Sequence, residues 1–371
     1  MALRRVVVFA LALTMSSGAA AQRLKRGKSS SVPLPAPVTP TPAVPIDPPV
    51  SAPVPPPTPF TPPILSKAQV ASIETAMKAD LAMAAGYGLD CNPCYLGDLY
   101  GAILRVVFHD AGGQQSRLDG CVDLTYADNN GLQEITGQLQ AVWKKVGGAA
   151  ILSFADLTAI AAKVAVEMSS TISKLEDSDP EEVSDDTITA PLILPLRFGR
   201  KDALTCNDEG QFPGNSFTWA QSLEYFNAKF GLGETESVAL MGAHALGRAE
   251  VKNSGVSDMG WTDFQSSFGN RYFTDMFDIQ WRLSDDFDVF EAGDVMLLRA
   301  DTEMVISPQS GCERWDAGPE QKEGVCPLNI PTLPVVKAFG GRGGTFLWWA
   351  QFEVAFTKMV EANNPGLYAA L

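Results

Sequence analysis

Apolar residues recur every three or four positions through six stretches of the chain: Lys67–Ala84, Leu99–His109, Leu132–Trp143, Phe154–Met168, Phe217–Phe230 and Glu234–Leu246. That spacing lines one face of an α-helix. No segment alternates polar and apolar residues over a useful strand length, no internal repeat recurs, and no glycine-rich phosphate loop is present. A mainly α-helical fold is expected. Ser153, just ahead of Phe154, and Thr235, three residues before Val238, are the expected caps of two of these helices, because a hydroxyl can accept a free N–H of the first turn. Glu176–Asp186 holds seven acids in eleven residues around Pro180 and reads as a solvated loop.

The helical pattern begins only at about Ser66. Between Pro33 and Pro63 lie fifteen prolines, mixed with Val, Ala and Thr, a composition that favours extended polyproline II and cannot build a packed core. Ahead of it, Arg4 and Arg5, the apolar run Val6–Met15 and Ala19-Ala20-Ala21 form the charged, apolar and small-residue parts of a secretory signal peptide. Three parts are therefore expected: a signal peptide over 1–21, a disordered proline-rich linker over 22–65, suited to contact with a wall or matrix, and a folded domain over 66–371. The apolar run is too short for a bilayer span of about 20 residues, so no membrane span is expected. Six cysteines (Cys91, Cys94, Cys121, Cys206, Cys312, Cys326) can pair fully in an oxidising, extracellular setting. Cys91-Asn-Pro-Cys94 lacks a surrounding βαβ pattern and is read as structural. The folded part carries 22 basic and 42 acidic residues, a surface that repels nucleic acid and favours cations or neutral ligands.

His109 and His244 are the only histidines. Arg105 and His109 are four apart, so both project from one helix face. A buried arginine and histidine side by side would be an odd way to fill a core. His244 is flanked by Gly242, Ala243, Ala245 and Gly247, residues small enough to let a flat, bulky group such as haem approach closely. One histidine to ligate iron, and one paired with arginine to handle protons and charge, is a minimal set for peroxide chemistry.

These two segments, Arg105-Val-Val-Phe108-His109-Asp110 and Ala239-Leu-Met-Gly-Ala-His244-Ala-Leu-Gly247, resemble the distal and proximal signatures of the plant, fungal and bacterial haem peroxidase superfamily. The resemblance runs from about Ser66 to Asn364, with Asn129-Asn-Gly-Leu132, Ser153-Phe-Ala-Asp156-Leu157, Gly199-Arg200-Lys-Asp202, Trp261 and Met296-Leu-Leu-Arg-Ala-Asp301 following in order. It implies a helical fold sandwiching haem b and a secreted enzyme that reduces hydrogen peroxide through a ferryl intermediate. His244 would ligate the iron, with Asp301 accepting a hydrogen bond from its other nitrogen. His109 would take a proton from peroxide and return it to the leaving oxygen. Asn129 would fix its tautomer, Arg105 would stabilise developing negative charge, and Phe108 would pack over the distal haem face.

The resemblance also separates donor classes. Trp261 follows the cytochrome c and ascorbate peroxidase pattern, in which the proximal aspartate, here Asp301, accepts the indole N–H and the indole can hold an oxidising equivalent. Phe108 and Asp110 follow the secreted classes. Ascorbate peroxidases place an arginine nine residues after the proximal histidine, where this chain has Asn253. Phenolic or other small aromatic one-electron donors are therefore expected first, with cytochrome c oxidation, manganese oxidation or a non-catalytic matrix role as alternatives. Asp110, Asp123 and Thr125 offer hard oxygen ligands for calcium, although Gly120–Asp123 is one residue longer than the secreted classes' spacing; Ala245 removes their second calcium site. Asp98 and Glu250 fall at two of three manganese positions, the third being Ala102. Of the remaining tryptophans, most are expected in the core.

Overall fold

The computed structural model describes residues 63–86, 95–176, 190–208, 211–214, 217–255, 258–284, 289–307, 314–315, 326–328 and 331–371. The expected signal peptide, nearly all of the proline-rich linker, Cys91, Cys94, Cys312 and most of the acidic stretch after Glu176 lie outside them.

Helices dominate, in the order α1 (Lys67–Gly86), α2 (Tyr95–Gly112), α3 (Leu132–Lys145), α4 (Phe154–Glu176), α5 (Trp219–Phe230), α6 (Glu234–Met241), α7 (Val251–Ser254), α8 (Arg271–Asp278), α9 (Arg299–Thr302), α10 (Leu333–Gly340) and α11 (Gly344–Glu361). All six segments with helical spacing form helices. None of the helices among the described residues is long and apolar enough to cross a membrane. A four-stranded antiparallel sheet, in the order β3-β2-β1-β4, adds to the helices and is built from β1 (Trp281–Leu283), β2 (Val289–Ala292), β3 (Val295–Leu298) and β4 (Arg314–Trp315). Strands of two to four residues are too short to show alternation.

α4 is the central element. Ala155, Leu157, Ala159, Ile160, Ala161, Ala162, Val164, Ala165 and Val166 are all fully buried, the pattern of a helix enclosed on every side. α1, α2 and α3 pack around it. Its start is fixed twice: Ser153 Oγ accepts the Asp156 N–H at 3.0 Å, as expected, and the Asp202 carboxylate accepts the N–H groups of Phe154 and Ala155 at 2.9 Å each. Thr235, by contrast, lies inside α6, which begins at Glu234, and it is the Glu236 carboxylate that accepts the Gly233 N–H at 2.9 Å. The Asp156 carboxylate pairs with Arg200 at 2.8 Å with both side chains wholly buried, and Arg200 also donates to the Val360 carbonyl. Two of the sequence motifs thus form one buried ion pair.

α11 covers α6 from the other side. Trp348, fully buried, donates its indole N–H to the Ala239 carbonyl at 2.9 Å, and a Cβ at Gly242 would lie 2.4 Å from that indole nitrogen. Gly242 is therefore required where α6 ends. Trp281, Trp219 and Trp349 are also buried. The chain end closes on the start of α1: Lys67 N–H donates to the Leu371 carbonyl at 2.7 Å, and Tyr368 accepts the Leu65 N–H.

Candidate active site

α2 and the segment that follows α6 come together through small residues. A Cβ on Gly101 would meet the Gly247 Cα at 2.9 Å, one on Gly97 would meet the Gln265 carbonyl at 2.5 Å, and Gly247 itself has φ +78°. This backbone-to-backbone contact carries His109 and Arg105 on one element and His244 on the other.

On the α2 side, the His109 ring is buried, and its Nδ1 lies 2.7 Å from Asn129 Oδ1. Since an amide oxygen only accepts, Nδ1 carries the proton and Nε2 keeps a free lone pair. Burial pushes the imidazole pKa down to about 3, the Arg105 guanidinium adds to the effect, and the Asn129 hydrogen bond opposes it. The ring is therefore neutral, as a base must be. Arg105 donates to the carbonyls of Asp128 and Asn130 at 2.7 and 2.8 Å. One short turn, Ala127–Asn129 with the residue after it, thus holds both His109 and Arg105. Phe108 is half-buried and meets Tyr225, Phe226 and Phe230 of α5 at ring separations of 6.2–6.3 Å. Phe108 also meets the His109 ring edge-on at 5.7 Å, and Phe212, a residue with no signal in the sequence, lies against that ring at 4.3 Å and 35°.

On the other side, α6 tightens at Gly242 into a 3₁₀ turn, Gly242–Ala245, that presents His244. Its Nδ1 donates to Asp301 Oδ1 at 3.0 Å, so the expected pairing is present and Nε2 is left as the donor atom. Asp301 is fully buried at the start of α9 and accepts two further bonds, from Tyr272 Oη to the same Oδ1 at 2.5 Å and from the Leu298 N–H to Oδ2 at 2.8 Å. Trp261 stacks on the His244 ring at 4.2 Å and 10°, where the sequence places it. Its indole N–H is not among the donors to Asp301, which corrects the expectation that this carboxylate would hold it. Tyr272 takes that place. Its burial, chiefly, and the carboxylate beside it push the phenol well above its ordinary range, so it stays a donor.

The donor set fits haem. Each imidazole is tied at Nδ1 and free at Nε2, the His244 partner is a buried carboxylate that strengthens the ring as a metal ligand, and a porphyrin needs only one such ligand from this face. The residues expected to hold calcium are engaged with the chain itself. Both oxygens of Asp110 accept backbone N–H groups, from Asp119 and Gly120 at 2.7 and 2.8 Å, and Asp123 Oδ1 accepts the N–H and hydroxyl of Thr125. Asp98 and Glu250 do come together, but around Arg248, at 3.1 and 3.7 Å, with Lys252 at 3.3 Å from Glu250. Ala102 adds no third carboxylate, and among the described residues no three His, Cys, Asp or Glu side chains form a metal cluster. Asn253, in the position expected to disfavour ascorbate, donates to Glu250 Oε2 at 2.5 Å.

Comparison with known proteins agrees with this geometry. The profile of the family described as Peroxidase matches residues 71–312. The chain is similar to the cytosolic L-ascorbate peroxidase 1 of Oryza sativa subsp. indica, 27% identical over 183 residues that cover 47% of this chain and 64% of that protein. It is also similar to L-ascorbate peroxidase 3 of Arabidopsis thaliana, at 28% identity over 47% of this chain and 55% of that protein. A heme-binding peroxidase of Debaryomyces hansenii matches at 24% identity over 57% of this chain and 48% of its own length. The chain thus spans about half to two thirds of the relatives it matches. With the profile match covering more than half of its residues, and both histidines set among their expected partners, the chain belongs to the haem peroxidase superfamily.

Proposed function

We propose that the protein is a secreted haem peroxidase that reduces hydrogen peroxide and oxidises phenolic or other small aromatic donors, one electron at a time. The observation that carries the reading is the matched tethering of the two histidines: each is held at Nδ1 by a buried side-chain oxygen and leaves Nε2 for chemistry. Haem b held through His244 Nε2 would supply the redox capacity that turns peroxide into two waters with two electrons from donors. His109 Nε2 accepts the proton of hydrogen peroxide and returns it to the departing oxygen, which leaves as water. Arg105, fixed by two carbonyls and still carrying free N–H groups, stabilises the negative charge on that oxygen.

Secretion is supported by the signal-peptide pattern and by disulfides, Cys121–Cys206 and a further one at Cys326. The proline-rich segment would make the wall or matrix contact. Small aromatic donors are preferred because Asn253 replaces the arginine expected for ascorbate and because the manganese positions hold two carboxylates already paired with Arg248 and Lys252. The stacked Trp261 favours a second reading, electron transfer from a protein donor such as a cytochrome c. Stopped-flow spectroscopy of the haem-loaded protein with peroxide, followed by phenol, ascorbate, manganese(II) or reduced cytochrome c, tests both. No spectral change with peroxide would leave only a non-catalytic matrix role.

A further inference from the structure

We infer that Asp208 is a positioning residue for His109, acting through Asn129 to fix the tautomer that the peroxide reaction needs; the consequence for rate rests on the proposed peroxidase activity. The Asn129 amide accepts from His109 with Oδ1 and donates with both hydrogens of Nδ2, one to the Asp123 carbonyl and one to Asp208 Oδ2, each at 2.8 Å. An amide can turn end for end with little change in shape, so only its hydrogen bonds decide its orientation. Turned over, it would set Oδ1 against a carbonyl and a carboxylate and would offer an N–H to His109. His109 would then have to accept at Nδ1 and carry its proton at Nε2. A ring in that state cannot take a proton from peroxide. Asp208 therefore selects the competent base, two hydrogen bonds away from the atom that does the work.

The carboxylate is built into its seat. Asp208 is 2% exposed, and its Oδ2 also accepts the Asp123 N–H at 2.8 Å. A Cβ on Gly113 would stand 2.6 Å from its Oδ1, so glycine is required there. The disulfide Cys121–Cys206 ties the two strands of chain together two residues from Asp123 and two from Asp208. The Lys229 ammonium, which donates to the Gly113 carbonyl and to Gln211, faces Asp208 and offsets its charge. The negative charge also polarises the Asn129 amide and strengthens Oδ1 as an acceptor.

With only two histidines in the chain, the imidazole ¹⁵N–¹H spectrum of the haem-loaded protein, reduced and carbon monoxide-bound so that it is diamagnetic, reads this directly. The expected wild-type result is His109 protonated at Nδ1 alone. In Asp208→Ala a second population protonated at Nε2 is expected, and the rate constant with peroxide falls in proportion to the lost Nδ1–H fraction. Asp208→Asn keeps an oxygen acceptor without the charge, so the His109 Nδ1 proton should move upfield while the tautomer is largely retained. The His244 signals serve as the control and stay in place. A single Nδ1–H tautomer in Asp208→Ala together with unmoved shifts in Asp208→Asn overturns the inference; if Asp208→Ala does not fold, an unmoved shift in Asp208→Asn alone overturns it. A wild-type protein with the expected tautomer shifts but no reaction with peroxide would sink the peroxidase reading and leave the role of Asp208 standing.

Discussion

Acidification should reveal His109 in the stability of the protein. Its pKa is held down to about 3, chiefly by burial, against about 6.5 in an unfolded chain. Between these values the unfolded state binds a proton that the folded state refuses, so the folded form loses stability as pH falls below about 6.5 and goes on losing it down to about 3. At about 1.4 kcal/mol per pH unit, the loss from this residue between pH 6.5 and pH 4 is roughly 3 kcal/mol, a large part of the ~5–15 kcal/mol that holds a domain folded. His109→Leu removes the effect. Whatever its fixed packing cost, the stability gap between wild type and variant should shrink by about 3 kcal/mol from pH 7 to pH 4. Urea unfolding of both proteins at both pH values gives the number, and carboxylates common to the two cancel. A gap that stays constant would refute the argument that His109 is buried and neutral. The same low pKa makes the wild-type rate with peroxide flat from pH 7 to about 5, with the fall confined to more acidic solution, whereas His109→Leu should slow it by about 10² to 10⁴.

Other expectations follow from single contacts. His244→Ala should abolish tight haem binding or replace the Soret spectrum, because the carboxylate-tethered imidazole is the donor; an unchanged spectrum would remove it as the ligand. Asp156→Ala strands the wholly buried Arg200 charge and should cost about 3–5 kcal/mol in urea unfolding, while Asp156→Leu with Arg200→Met should recover part of that; simple additivity of the two sites would argue against the pair. Chelator treatment should leave the melting temperature unchanged, since Asp110 is satisfied by backbone N–H groups, whereas Asp110→Ala should lower it.

The helices around the site were legible because their apolar faces repeat over three or more turns, a signal that survives without knowledge of the partner. Their ends were less so. α6 stops at Met241 because Trp348 presses on Gly242 from a helix 109 residues from Ala239 in sequence, and nothing local announces that. α8, α10 and α11 were passed over; in α11 exposed Phe346 and Leu347 adjoin buried Trp348 and Trp349, which blurs the face. Among site residues, the histidines stood out through scarcity and Arg105 through its spacing. Asn129 and Asp301 needed the family resemblance. Asp208, Tyr272 and Phe212 carried no signal, since Asp208 is 79 residues from Asn129 and Tyr272 is 29 from Asp301. Carboxylates in order along a chain also do not reveal which of their oxygens accept backbone N–H groups, as both oxygens of Asp110 do.

The two imidazoles differ in their partners, and that difference assigns their tasks. His244 faces a carboxylate, and an anion accepting the Nδ1 proton pushes electron density towards Nε2, which suits a ligand that must hold iron. Tyr272 restrains that push: its hydroxyl competes for the same Oδ1 and lies closer, at 2.5 Å against 3.0 Å for His244. His109 faces a neutral amide, which orients the ring without making it strongly basic, so a proton taken from peroxide can be handed on to the leaving oxygen. A carboxylate in the place of Asn129 would raise the imidazole's basicity and hold that proton too long. The chain does use a carboxylate on this side, Asp208, but sets it behind the amide. Its charge there governs orientation with little direct attraction for the proton, and one short turn, through buried Asn129 and the carbonyls on either side of it, can hold both a neutral base and the Arg105 cation beside it.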